Sequence, residues 1–229
     1  MKKIFAIIAV AMATLTVSAQ SYKDLVKAQQ ERNKYNKEMA NIKPTSDDKK
    51  QAKQRKKDGW DVETGADPMD IQICKARMLQ AELMADEDME PTKRYIVAVS
   101  QSVSGNKDVA KREASNNAMG EIASMIETKL VEAMERSSDN SIHNAISATT
   151  RSTFSARMKA IVQGCLRNMV TPLTIYRVLP NYNYQVEVMV AYDKKQLKRE
   201  LMQKLQQEMK VEGDKALNPL VDEALEQIK

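Results

Sequence analysis

From Ala110 to Met134 a small or apolar residue returns at every fourth position: Ala110, Ala114, Ala118, Ile122, Ile126, Leu130 and Met134. No proline interrupts the stretch, and the spacing predicts one helix from about Lys107 to Arg136. Such a helix is about 45 Å long at 1.5 Å per residue. Its alanines come first, so that end can lie close against a sheet. Its larger residues come later, where the gap must be wider. The far half outruns any strand in the chain and needs a helical partner.

The partner follows at once. Ser137 to Asn140 form a loop, and residues 141–166 carry Ile142, Ile146, Phe154, Met158, Ile161 and Leu166. The run of Ala148, Thr149, Thr150, Ser152 and Thr153 is weak helix material and marks a break. Together the two segments read as a helical hairpin.

Strands flank the hairpin. Residues 94–103 alternate Tyr95, Val97, Val99 and Val103 with Ile96, Ala98, Ser100 and Ser102. Both sides are apolar at first, which suits an inner strand covered in part on both faces. Ser104, Gly105 and Asn106 form the turn. A second strand covers about 173–179, and Pro180 to Asn183 turn the chain. Tyr184, Val186, Val188, Val190 and Tyr192 then alternate with Gln185, Glu187, Met189 and Ala191, a strand with one buried and one more polar face. Asp193 caps a helix striped by Leu197, Leu201, Leu205 and Met209. Gly213 ends it, and Asn218 and Pro219 start a short last helix. The expected fold is α+β: a small, three-stranded, mainly antiparallel sheet packed with the long helical hairpin and flanking helices.

Upstream, Asp67 as N-cap, Pro68 at the first position and Asp70 in the first turn predict a helix to about Met84 or Ala85. Its expected buried face is Ile71, Cys74, Met78, Ala81 and Ala85. The acidic run Asp86 to Asp88 and Pro91 end it. Residues 20–58 are polar and charged, with 12 basic and 6 acidic groups in 22–58. Pro44 divides them, Thr45 and Asp48 form a capping box, and Gly59 stops the helix. This segment is expected to be a basic arm outside the core, two exposed helices or a partly disordered stretch. The organisation is then a leader at 1–19, the arm at 20–58, a linker and capping helix at 59–92, the α+β domain at 93–212 and a short helix at 213–229.

The leader is a signal peptide by pattern. Lys2 and Lys3 precede the apolar run from Ile4, and Val17-Ser18-Ala19 offers a small-residue cleavage site before Gln20. Export to the periplasm or outer membrane follows as an expectation, with no transmembrane segment in the mature chain. The basic cluster Lys53, Arg55, Lys56 and Lys57 suits contact with an anionic membrane surface or an acidic partner, and equally a solvated helix face. Nucleic acid is not expected. Cys74 and Cys165 are the only cysteines; one disulfide between them fits export, and two buried thiols fit as well. Trp60, the single tryptophan, can pin the arm to the domain or stack on a ligand.

Catalytic groupings are not expected. His143 is the only histidine, and no HExxH, CxxC or GxGxxG pattern is present. Gly105 is a lone turn glycine. The scattered acids Asp61, Asp67, Asp70 and Asp86 to Asp88 follow no calcium-loop spacing. Met119, Met125 and Met134 fall at helical spacings that make them packing residues. No cofactor or metal is expected.

The strand YIVAVSQSVSGN (95–106), the helix KREASNNAMGEIASMI (111–126) and the strand ending YQVEVMVAYD (184–193) resemble the LPP20-like bacterial envelope lipoproteins. The segment KKDGWDVETGADPMD (56–70) resembles a leader of exported Bacteroidetes proteins that carry this domain. The resemblance implies an envelope protein, in a family partly linked to motility structures, and places no catalytic residue on this chain. The family's lipid-bearing cysteine after the cleavage site is here Gln20, so a mature form without N-terminal lipid is expected. The function read from all this is a non-enzymatic, periplasmic or envelope-associated protein acting through protein–protein contacts, self-association included. The alternative is a binding module for a cell-wall glycan, lipid or small ligand, which needs an aromatic-lined groove.

Overall fold

A computed structural model describes residues 41–84, 92–137, 151–166, 169–209 and 214–228. The chain divides into two compact units, Met1–Lys43 and Pro44–Lys229. Only residues 41–43 of the first are described, and the account below concerns the second. The leader, Gln20, His143, the rest of the loop after Ser137 and the Asp86–Asp88 run lie outside the described residues.

The second unit is mixed α+β. In chain order it contains α1 (Ser46–Lys57), α2 (Met69–Ala81), β1 (Leu83–Met84), β2 (Thr92–Lys93), β3 (Tyr95–Ser104), α3 (Lys107–Arg136), α4 (Arg151–Cys165), β4 (Val170–Val178), β5 (Tyr184–Asp193), α5 (Lys194–Met209) and α6 (Asp214–Glu226). The main sheet is antiparallel with order β3-β5-β4, and β1 and β2 form a separate two-stranded ribbon. Helices cover both faces.

The inner face carries the larger core. Ile96, Ala98, Val186, Val188, Val190 and Tyr192 point into it from the sheet, and every fourth residue of α3 from Ala110 to Met134 is fully buried there. The alanines let α3 lie close to β3 and β5; its far half packs on α4 and α6. Asn106 caps α3, its side-chain oxygen accepting from the amides of Asp108 at 2.8 Å and Val109 at 3.2 Å. Asp193 caps α5 through Lys195 at 2.8 Å and Gln196 at 3.2 Å.

The outer face carries a smaller core of Ala52, Trp60, Met69, Ile73, Ala76, Leu173, Ile175 and Met189. This corrects three sequence expectations. Residues 44–58 belong to the second unit: α1 docks on α2 and buries Asp48 and Ala52. A nearly all-polar helix can do this because its buried carboxylate is paired. The buried side of α2 is Met69, Gln72, Ile73, Cys74, Ala76 and Leu79, while Met78 is exposed. Two apolar stripes competed on that helix, and Gln72 helps to select this one by bonding to β4. Asp67 caps nothing; Pro68 is the N-cap residue, and the Asp67 carboxylate pairs with Lys75.

The central strand is β5 rather than β3. β5 is buried on both faces, Glu187 included, because Arg55 reaches that carboxylate from α1. β3 is an edge strand: its first half is covered, and Val99 and Val103 are about half exposed. The last helix starts at Asp214, with Pro219 inside it, not at Asn218.

Candidate functional site

α1 ends in a Schellman turn. Trp60 N–H bonds Arg55 C=O at 3.0 Å, Gly59 N–H bonds Lys56 C=O at 3.1 Å, and Gly59 takes a φ of 84°. Reversing the chain this way drops Trp60 onto the sheet. Beyond it, Asp61 and Tyr176 exchange backbone bonds at 2.7 and 2.9 Å, which covers the edge of β4.

The turn separates the basic cluster into two faces. Arg55 points inward and makes a bidentate pair with Glu187, at 3.0 Å to one oxygen and 2.9 Å to the other. The Glu187 side chain is only 5 % exposed, so the pair replaces water that the carboxylate has lost. Gln101 donates to the same carboxylate at 2.5 Å and accepts from Gln185 at 2.7 Å, and Arg177 donates to Gln185 at 2.8 Å. The guanidinium carbons of Arg55 and Arg177 lie 5.6 and 4.8 Å from the Trp60 ring centre. Trp60 is 6 % exposed. Packed against the sheet and two cations, it is built into the fold and offers no open ring for ligand stacking.

Lys53, Lys56 and Lys57 point the other way. With Lys49 they line an open groove of about 500 Å³ between α1 and the start of α2, floored by Ala52 and Met69 and flanked by Asp70. None of the four lysines is in an ion pair among the described residues. Like charges four apart on a helix repel by a few tenths of a kcal/mol per pair. The face therefore has a surplus of positive charge that an anion would relieve. Lys49, one turn before Lys53, extends the cluster seen in the sequence.

No disulfide joins Cys74 and Cys165. The two sit on opposite sides of the sheet, Cys165 in the inner core and Cys74 on the outer helix α2. Burial pushes the Cys165 thiol up to about 11. Burial, and then the neighbouring Asp48 carboxylate, push Cys74 up as well. Both are poor nucleophiles near neutrality, since the thiolate is the reactive form.

Asp48 holds the hidden side of α1. Its carboxylate accepts from Arg77 at 2.9 and 3.0 Å, and from the Thr45 amide and hydroxyl at 2.8 Å each. The Arg77 bonds are the main reason that its carboxyl lies far below the ordinary range. The sequence showed the capping box but not Arg77, which lies 29 residues away.

Among the described residues no group of three His, Cys, Asp or Glu could hold a metal ion, and no helix is long and apolar enough to cross a membrane. Among the described residues Trp60, Tyr95 and Tyr192 are buried, Tyr182 is exposed on a turn, Tyr176 and Tyr184 pack together with ring centres 6.4 Å apart, and no aromatic side chain lines the lysine groove. No protein-family model matches the chain, and no curated protein matches it.

Proposed function

We propose that this is an exported, envelope-associated protein of the LPP20-like kind that acts without catalysis, through protein–protein contacts. The observation that supports this reading is the outer edge of β3. Residues 96–104 make backbone bonds to β5 on one side only, and no other backbone group among the described residues bonds them. The ten-residue strand contains no charge, proline or glycine. Exposed edges are ordinarily blunted by such residues, because unpaired N–H and C=O groups recruit other strands. An edge left bare from residue 96 to residue 104 suits a contact surface.

The test is a photocrosslinking residue at Val103 in the native host, followed by envelope fractionation. A discrete crosslinked species in the envelope fraction is expected. Recovery only as an uncrosslinked soluble monomer would overturn the reading.

A second reading, binding of anionic lipid, is favoured by the lysine groove. Lys53→Glu with Lys56→Glu should abolish flotation with phosphatidylglycerol vesicles and leave the low binding to phosphatidylcholine vesicles unchanged. Equal binding to both vesicle types by the unaltered chain would remove this reading.

A further inference from the structure

We propose that β3 pairs with β3 of a second copy, antiparallel, about a two-fold axis at Gln101. This rests on the reading of β3 as a contact surface and names its partner.

The phase of the hydrogen bonds comes first. Lys194 N–H donates to Arg94 C=O at 2.9 Å, and the register continues through Tyr95 opposite Asp193 and Ile96 opposite Tyr192. In an antiparallel pair, bonded and non-bonded positions alternate. Even-numbered residues of β3 therefore bond β5. Val97, Val99, Gln101 and Val103 turn their N–H and C=O to the open edge. The same odd-numbered residues place their side chains on the outer face.

A two-fold axis at Gln101 makes this edge complementary to itself. Gln101 faces its own copy, and Val99 faces Val103 in both directions. These are all bonded positions, so each pair exchanges two backbone bonds. Val99 and Val103 are 45 % and 48 % exposed in the single chain, and each would cover the other. Shifting the axis by one residue, to Ser100 or Ser102, keeps the odd-numbered positions in phase but sets Gln101 opposite Val99 or Val103, so its amide meets an apolar side chain instead of its own copy. Moving it by two, to Val99 or Val103, sets Gln101 opposite a valine or beyond the paired region.

The Gln101 amide is equipped for this position. One of its N–H groups donates to Glu187 and its oxygen accepts once, from Gln185. An amide has two N–H groups and two lone pairs. The remaining N–H and lone pair can serve the copy across the axis. The polar row from Arg55 through Glu187 to Gln101 would then run unbroken into the second chain. No charged side chain stands in the strand to repel its copy.

The experiment uses the chain purified after export. Sedimentation equilibrium at about 100 µM should give a dimer, since such assembly depends on concentration. Gln101→Cys should be joined to its own copy by a short bismaleimide, the native thiols being buried. Val103→Lys, which supplies the charge that edges usually carry, should weaken the dimer about tenfold or more. Val99→Lys is the second variant, and both should keep the circular dichroism of the parent. A monomer at that concentration, or a dimer of the Gln101→Cys variant that the bismaleimide does not join, overturns the proposal. The broader reading fails separately, only if the photocrosslinker at Val103 also captures no other envelope protein.

Discussion

Replacing Asp48 by Asn tests what holds α1 to the rest of the fold. The helix buries one apolar side chain, Ala52. A buried methyl group contributes only about 0.8 kcal/mol. The polar contacts are larger: Asp48 accepts four hydrogen bonds, from Arg77 and Thr45, and its side chain is fully buried. Hydrogen bonds to a charged group contribute about 1.5–3 kcal/mol each, and a donor turned toward donors costs more than a missing bond. Asn keeps the shape but sets an NH₂ group against N–H or O–H donors. Arg77 is 46 % exposed and can turn to water, which keeps the loss moderate. We expect about 2 kcal/mol, roughly thirty-fold in the docking equilibrium. If docking and global unfolding are one transition, the melting point falls by about 4–8 °C. The single tryptophan sits at the end of α1, so Trp60 fluorescence follows the helix directly. The pH dependence has a definite sign. The folded carboxyl lies well below its unfolded value of about 3.9, so its contribution is complete above that pH and fades as pH falls below it. The gap between parent and Asp48→Asn should therefore be full at pH 7 and shrink steadily below about pH 4. Equal Trp60 transitions at pH 7, or a gap unchanged at pH 3, would refute the reasoning.

Both cysteines should remain reduced and unmodified by a thiol reagent under native conditions and react fully in denaturant; an oxidised mass lower by two hydrogens would contradict the two-sided placement. Lys194 is 2 % exposed and donates to Ile228 C=O at 2.7 Å, and burial lowers its pKa. The folded state then binds fewer protons than the unfolded one, so this group adds stability as pH rises toward about 10.4. Lys194→Met should match or exceed the parent at pH 7 by chemical denaturation and lose that part of the rise. Tyr182 holds a φ of 62° on an exposed turn, and Tyr182→Gly should raise stability by about 1 kcal/mol in the same assay. A loss would show that the tyrosine makes a contact worth more than its strain.

The inner half of the fold was legible because its signals are local. The four-residue period of α3 and the Asp193 cap lie within a few residues of what they control. The alternation of β5 marked a strand but did not place it at the centre. That placement depends on Arg55 meeting Glu187, 132 positions away. The buried stripe of α2 departs from expectation for a similar reason. Ile71 and Met78 compete with Ile73 and Leu79 on apolarity, while Gln72 accepts from Thr174 N–H on β4 at 2.8 Å. The lysine cluster was visible, but its division into an inward arginine and outward lysines needs the angle at which α1 docks.

The two edges of the sheet are treated differently, and that difference bears most on function. Beside β4, Gln72 accepts the Thr174 amide and Asp61 exchanges two bonds with Tyr176, so the edge is closed from within the chain. The closing layer, α1 and α2, is placed by Asp48–Arg77 and Arg55–Glu187. These pairs have fixed partners and directions, unlike an apolar contact that could slide. The layer cannot shift across the sheet to shield β3 without taking Arg55 from Glu187 and leaving that carboxylate buried without its cation, at a cost of about 3–5 kcal/mol. The pair that holds the closing layer over one edge thereby keeps the other open. Any strand that pairs with Val99, Gln101 and Val103 must come from outside the described fold.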